Sequence, residues 1–184
     1  MKNSYLPSVI KQFEYYKSLG DKTIAQLSFE ELQWQPHENS NSIAIILKHI
    51  VGNMLSRWTN FLTEDGEKEW RQRDQEFEDA FTSKEEAIAA WESGWICLFK
   101  AIKSLQVQNL EQIIYIRNQG HTVTEAINRQ LPHYAYHIGQ MVFIGKLIKG
   151  NYWESLSIPK GKSDTYNQEK FAKEKGRRHF TDDL

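Results

Sequence analysis

The sequence predicts an all-α fold, a four-helix bundle with room for a short hairpin before the last helix. Apolar residues recur every three or four positions in four long segments, which is the period of an amphipathic helix. Only 4 prolines and 10 glycines interrupt the 184 residues, so long helices are allowed. The length suits one domain with a sizeable core. We expect the bundle to occupy residues 1–160 and a polar C-terminal tail, loose over its last ten residues, to occupy 161–184.

The first two helices are predicted from about Ser4 to Leu27 and from Asn41 or Ser42 to Leu62. A polar connection that contains proline precedes the second helix. Either Asn41 or Ser42 can cap this helix by accepting a free backbone N–H. Its apolar stripe consists of Ile43, Leu47, Ile50, Met54, Trp58 and Phe61. His49 lies beside that stripe, next to small and polar residues that leave room around its ring.

A charged connection follows at residues 63–82. It is too polar for a core element and too long for a simple turn, and loops of that length are often functional. Its simplest interpretation is a solvated loop. Arg57, Arg71 and Arg73 would recognise a carboxylate with paired hydrogen bonds only if they turned inward, which we do not expect.

The third helix is predicted at 83–105, where Ser83 and Glu86 form a capping-box pattern. The apolar run from Ile113 to Ile116 indicates a short strand or hairpin, although periodicity alone does not decide so short a run. Cys97 lies within the third helix between two apolar residues, and we expect it to be a small core residue rather than a nucleophile.

The last helix is predicted from Val123 to Ile148 and should end at Gly150. Thr122 and Glu125 form a second capping-box pattern at its start. Pro132 removes a backbone N–H inside the helix, so we expect a bend just before His133. Its core stripe is separate from a neighbouring line of polar residues. The stripe is Ile127, Leu131, Tyr134, Ile138 and Val142, and the polar line is His133, His137 and Gln140.

His133 and His137 are the most informative motif of the chain. Residues four apart on a helix have Cβ atoms roughly 5–6 Å apart, so both rings can reach one metal ion. The best third ligand is His49, at a similar depth on another helix of the bundle. Three protein ligands leave a coordination position open for water or substrate, and the single cysteine excludes a closed, cysteine-rich zinc site.

Two polar residues are predicted to bind substrate or support the ligands at this cavity, from helical phase alone. Asn53 is one turn from His49, and Gln140 is one turn beyond His137. Any one histidine can instead be an ordinary, partly buried side chain with one hydrogen-bond partner. His37, His121 and His179 fall in predicted loop or tail positions, where we expect solvated side chains.

Composition excludes several classes of partner. The chain has 23 Lys+Arg against 24 Asp+Glu, so no overall field attracts nucleic acid or an anionic membrane. No apolar run approaches the roughly 20 residues that cross a bilayer. One cysteine and the lack of an apolar signal region near the start predict a cytoplasmic protein. The open coordination position predicted beside the histidines suits a small-molecule ligand.

Two segments carry a family resemblance that covers nearly the whole chain. The first is His49-Ile-Val-Gly-Asn-Met-Leu-Ser-Arg-Trp, and the second is His133-Tyr-Ala-Tyr-His-Ile-Gly-Gln with the later Trp153-Glu-Ser-Leu-Ser-Ile-Pro. Together they resemble the DinB/YfiT-like superfamily of metal-binding bundles, and within it a subgroup known mainly as a domain of unknown function. The resemblance implies an up-down-down-up helix order, a homodimer, and a divalent ion, often zinc or nickel, held by His49, His133 and His137.

The resemblance also implies a class of chemistry. Characterised relatives include transferases and isomerases that use a low-molecular-weight thiol such as bacillithiol or mycothiol, although this sequence shows no thiol-recognition motif. We therefore expect a metal-dependent thiol S-transferase acting on small electrophiles, or a hydrolase-like enzyme in which the metal activates water. The alternatives are a non-catalytic, metal-binding or stress-associated bundle, and histidines that hold no metal. Three imidazoles suit zinc, nickel, copper or iron.

Overall fold

The computed structural model describes residues 4–78 and 81–182, and most of these residues are helical. The helices are α1 (Tyr5–Ala25), α2 (Phe29–Gln33), α3 (Ile43–Trp58), α4 (Lys84–Lys103), α5 (Val123–Lys149) and α6 (Ser163–Phe171). The strands are β1 (Ile113–Ile116) and β2 (Gln119–Thr122). A 3-10 helix at Arg73–Phe77 lies in the connection between α3 and α4. The mainly helical prediction is confirmed.

The four long helices pack around one apolar core. Helix α3 packs most extensively with α4, and α1 with α5, while α3 also lies against α5 and α1 against α4. All six residues of the predicted α3 stripe are buried. Aromatic rings fill the centre of the core, where Trp95 meets both Phe13 and Tyr134 edge to face or nearly so. Burial of these large rings, together with the aliphatic side chains of the core, stabilises the fold.

The predicted caps account for where the long helices begin. The Ser42 hydroxyl accepts the N–H three residues on, and Thr122 and Glu125 form a complete capping box. Ser83 caps α4 in the same way, but the Glu86 carboxylate bonds to the preceding threonine instead of closing a box. Each of these three helices starts within two residues of its predicted position because the cap satisfies N–H groups that the first turn leaves free.

Two features differ from the predictions. Helix α2 was not predicted, although Ser28 and Glu31 form a capping box at its start. Helix α3 ends at Trp58 rather than near residue 62, because Asn60 adopts a left-handed φ of 47° that a helix does not accommodate. The predicted bounds of α5 are confirmed to within one residue, since the helix runs from Val123 through Pro132 to Lys149 and Gly150 follows it directly.

The two strands form the hairpin that the sequence left open. Ile116 pairs with Gln119, so the turn consists of Arg117 and Asn118, with φ values of 55° and 60°. A two-residue turn with two left-handed residues matches the twist of the strands. The Asp65 carboxylate accepts both turn N–H groups at 2.8 Å, which ties the hairpin to the connection after α3.

The C-terminal segment contacts α1 rather than lying loose over its last ten residues. The His179 ring lies 3.2 Å from the Ser8 hydroxyl, the Phe180 ring meets Tyr15 edge to face, and Asp182 pairs with a lysine of α1. An ion pair and a ring contact together favour this docking. Across the described residues, no helix combines the length and apolar character needed to cross a membrane.

Candidate metal centre

Three histidines from two helices converge on one point. His49 comes from α3, and His133 and His137 come from successive turns of α5. Their candidate ligand nitrogens all lie within 4.8 Å of one another. The Nε2 atoms of His133 and His137 are 3.2 Å apart, and the rings of His49 and His137 have centroids 4.9 Å apart. The structure thus brings together the three residues that the sequence singled out.

Hydrogen bonds behind two of the rings set which nitrogen faces the cluster. His49 Nδ1 lies 2.9 Å from Glu76 Oε2, and a carboxylate accepts, so Nδ1 carries the proton. His137 Nδ1 lies 2.8 Å from Gln140 Oε1. The amide nitrogen of Gln140 donates to the Tyr136 hydroxyl, which leaves Oε1 as the acceptor for His137. In both rings Nε2 is then the unprotonated nitrogen, as in metal sites where a carboxylate or carbonyl orients the ligand, and that of His137 lies 3.2 Å from Nε2 of His133.

The electrostatics favour neutral imidazoles at His133 and His137. Burial, with added repulsion from His137 and His49, lowers the pKa of His133 to about 4. Burial also lowers the pKa of His137, against an opposing hydrogen bond from Gln140. Neutral imidazole is the form that binds metal.

The donor set fits a divalent ion. Two nitrogens 3.2 Å apart can both reach an ion at about 2.0–2.1 Å. His133 differs from the other two rings, because its buried Nδ1 has no hydrogen-bond partner among the described residues.

Glu76 is a site residue that the sequence did not reveal. It lies in the 3-10 helix of the charged connection and is buried. Burial raises its pKa, but hydrogen bonds from His49 and Arg71 outweigh that effect and hold the pKa below its ordinary range. Arg71 donates to both carboxylate oxygens, at 2.7 and 3.0 Å. Glu76 is therefore an ionised acceptor aimed at His49.

Glycine at position 52 makes this approach possible. A Cβ on Gly52 would collide with the Glu76 carboxylate and lie 2.8 Å from its Cδ. The small residues beside His49 were predicted to leave room around the ring. The space beside Gly52 is filled by the Glu76 carboxylate, which orients the His49 ring.

A cavity of about 490 Å³ opens beside the cluster. Its lining residues are His49, Asn53, Arg57, Arg71, Arg73, Arg117, Arg129, Gln130, His133 and Tyr136. The interpretation of residues 63–82 as a solvated loop is wrong for Arg71, whose side chain is 2% exposed. The expectation that these arginines do not turn inward is wrong for Arg57 and Arg71, whereas half of the Arg73 side chain is exposed. Ion pairs with Glu67 and Glu76 offset the cost of burying Arg57 and Arg71.

Comparison with known proteins assigns the chain to a family. The family model described as "Protein of unknown function (DUF1572)" matches residues 1–162. The chain belongs to the DUF1572 family. No curated protein and no solved structure matches it significantly. The function of this DUF1572 protein therefore has to be inferred from its own site.

The two predicted substrate-binding residues occupy different places in the DUF1572 chain. Asn53 lines the cavity, and its Oδ1 accepts a hydrogen bond from the buried Tyr134 hydroxyl at 3.0 Å. Trp58 in turn donates to that hydroxyl at 3.1 Å. Gln140 does not line the cavity and lies behind His137. Asn53 is thus placed to meet a ligand, whereas Gln140 orients a ring.

The other singled-out residues of the DUF1572 protein lie outside the cluster. His37 is exposed in a loop. His121 lies in β2 with Nε2 buried and unpartnered among the described residues, and His179 packs on α1, so neither has the solvated side chain we expected. Cys97 is half-buried against the core, as predicted for a small core residue.

Proposed function

We propose that this DUF1572 protein is a metal-dependent enzyme of the DinB/YfiT-like superfamily, with an up-down-down-up four-helix bundle. A divalent ion, zinc or nickel, is held by His49, His133 and His137 and keeps an open position toward the cavity. One observation carries the proposal: the hydrogen bonds to Nδ1 of His49 and of His137 leave Nε2 of both rings unprotonated at a cluster within 4.8 Å.

The reaction proposed is transfer of a low-molecular-weight thiol of the bacillithiol type to a small electrophile in the cytoplasm. The ion supplies Lewis acidity, which lowers the pKa of a thiol or water that reaches it. The histidines hold the ion, and Glu76 and Gln140 fix two of the rings. Because Tyr134 occupies Oδ1 of Asn53, this side chain offers its amide N–H groups to a ligand.

The cavity favours an enzyme over a protein that only stores metal. Small-molecule sites typically have volumes of about 300–1,000 Å³, and the cavity beside the histidines falls in that range. A non-catalytic, metal-binding or stress-associated bundle needs no such space. It remains the alternative for a protein that binds metal but shows no turnover.

Metal binding is tested first. Protein purified without an affinity tag is analysed for bound elements and titrated with zinc and nickel by calorimetry. We expect one ion per chain in the wild type, and strongly reduced binding in His49→Ala and His137→Ala. The matched control is His37→Ala, an exposed histidine outside the cluster, which should bind like the wild type. Absence of bound metal in every sample would favour histidines that serve only as hydrogen-bonding side chains.

Turnover is tested next with metal-loaded and chelator-treated protein. An aryl chloride serves as the electrophile, and bacillithiol, glutathione and water serve as nucleophiles. We expect a rate that depends on both the metal and a thiol. A metal-dependent rate with water alone would indicate the hydrolase-like variant. Stoichiometric metal with no rate under any condition would favour the non-catalytic alternative.

A further inference from the structure

The cavity beside the histidines is lined by five arginines. They come from separate parts of the fold: the last turn of α3, the connection that follows it, the turn of the hairpin, and α5. Across residues 4–78 and 81–182, no carboxylate lines the cavity. The overall charge of the chain is −1, so this concentration of positive charge is a local feature.

Two carboxylates lie behind the arginines and neutralise some of them. Glu67 accepts from Arg57 at 2.9 Å and from Arg117 at 3.2 Å. Glu76 pairs with Arg71 through two hydrogen bonds. Two carboxylates are thus paired with three guanidinium groups. The buried Nε of Arg57 still has no hydrogen-bond partner in the described structure.

The remaining two arginines have little or no counter-charge. Arg73 lies over the Phe77 ring, and its carboxylate neighbour, Asp74, is 4.0 Å away and fully exposed. Arg129 has no ion-pair partner in the part of the chain that is described. It lies one turn before His133 on α5, so it is a direct neighbour of the cluster.

The position of Arg117 is built into the fold. Its left-handed φ of 55° is unfavourable for a residue with a long side chain, and Asp65 holds it there by accepting the turn N–H groups. The backbone N–H of Gly66 also donates to the strand carbonyl of Tyr115 at 2.8 Å. The hairpin is therefore fastened where its arginine reaches the cavity.

An unpartnered acceptor accompanies these donors. Gln130 is 3% exposed, lines the cavity, and has a side-chain oxygen without a hydrogen-bond partner among the described residues. Buried polar groups are rarely left unpaired, so the Gln130 oxygen indicates a hydrogen-bond donor on a ligand. Guanidinium groups that line one cavity repel one another unless an anion lies among them. Both features indicate a ligand.

We propose that the cavity binds a small oxyanion, a carboxylate or phosphate group carried by the molecule that reaches the histidine cluster. Arg73, Arg117 and Arg129 make its principal contacts, because a guanidinium binds both oxygens of a carboxylate or phosphate through parallel hydrogen bonds. The anion site itself does not require a metal. This inference rests on the proposed function only where it makes the anion part of the substrate, and there it names the chemical class of that substrate.

The test is calorimetry on the metal-loaded full chain with three probes. Succinate supplies carboxylates, inorganic phosphate supplies a tetrahedral oxyanion, and succinamide is the neutral counterpart of succinate. We expect succinate or phosphate to bind and succinamide not to bind. The two anions distinguish a carboxylate ligand from a phosphate ligand.

Matched variants connect the binding to the arginines. Arg73→Gln and Arg129→Gln should each weaken anion binding about tenfold, the cost of one charged hydrogen bond. Both side chains are solvent-accessible, so the fold should persist, and circular dichroism checks it. Arg177→Gln, an exposed arginine of the C-terminal segment, should bind like the wild type.

The outcomes separate this inference from the metal proposal. Failure of both anions to bind, or equal binding by the wild type and by both cavity variants, would overturn the oxyanion site even if the chain holds zinc. Arginine-dependent anion binding by a chain that takes up no metal would support the oxyanion site and count against the metal-dependent function.

Discussion

At the scale of single residues, Glu76 has the largest predicted effect on the site outside the three histidines. Its carboxylate fixes the proton on Nδ1 of His49, and Arg71 holds the carboxylate in place. Groups that orient a metal-binding histidine also raise its basicity. The ligand strength of His49 should therefore depend on a residue that does not reach the ion.

Replacing Glu76 with glutamine should lower zinc affinity about 10- to 100-fold while the fold persists. An amide oxygen is a weaker acceptor for the His49 N–H, and Arg71 loses the nearer of its two carboxylates and keeps only Glu67, at 3.5 Å. Competition with a chromophoric chelator measures the affinity, and NMR of the imidazole nitrogens reports the tautomer. The control is Glu69→Gln, an exposed carboxylate of the same connection. Equal affinity in Glu76→Gln and wild type would exclude this role.

A second variant perturbs the same contact without removing the charge. In Gly52→Ala the new Cβ takes the space of the Glu76 carboxylate and should displace it from His49. Zinc affinity should fall in the same direction as in Glu76→Gln. Unchanged affinity would show that the carboxylate position does not matter to the ligand.

The histidine cluster could be predicted from sequence, whereas its surroundings could not. His133 and His137 are related by helical spacing, and His49 lies on another segment of strong helical period. Glu76 and Arg71 lie in a run of mixed charges with no period. Which of those charges turn inward is decided by the partners they meet, and sequence spacing does not determine such pairs.

At the scale of elements, ion pairs contribute to holding the connection from α3 to the 3-10 helix. Glu67 contacts three arginines, which come from α3, from the connection itself and from the turn of the hairpin. Burial alone raises its pKa, but Arg57, Arg71 and Arg117 together hold the pKa below its ordinary value of 4.5. This connection should therefore respond to acid.

The pH dependence of stability tests this role of Glu67. Because its pKa is lower in the folded than in the unfolded chain, Glu67 stabilises the fold above about pH 4.5, and this contribution is lost as pH falls through the folded-state pKa. The difference in unfolding free energy between wild type and Glu67→Gln should be present at neutral pH and shrink below pH 4.5. Urea unfolding measures it, with Glu69→Gln as the control. A difference that persists undiminished in acid would contradict this account.

How well each helix or strand could be predicted depended on its capping residues, its apolar periodicity and its turn residues. The long helices were predicted because their caps and apolar stripes agree. Helix α2, at Phe29–Gln33, is too short for periodicity to reveal. The hairpin was recognised only as an alternative, because its turn residues, Arg117 and Asn118, lack the glycine that usually marks such turns.

At the scale of the whole molecule, α5 leaves an apolar face uncovered. Tyr136, Phe143 and Leu147 follow one another at intervals of one or two turns, and their side chains are 63%, 62% and 53% exposed. Exposed apolar faces of this kind usually mark an interaction surface. We expect the protein to form a homodimer through this face.

Light scattering coupled to size-exclusion chromatography tests the dimer. Phe143→Glu should convert it to a monomer, because a charge would have to be buried at the interface. Ile96→Glu is the matched control, since Ile96 is an equally exposed apolar residue on α4, at 64%. A monomeric wild type, or a variant that remains dimeric, would contradict this prediction.

The histidines lie across the seam between the two most closely packed helix pairs. His49 belongs to the α3–α4 pair, whereas His133 and His137 belong to the α1–α5 pair. An ion bound by all three would therefore restrain the sliding of one pair against the other. Metal occupancy and the relative motion of the two helix pairs would then be thermodynamically coupled. A change that favours one arrangement of the pairs would change the metal affinity, and metal binding would favour that arrangement.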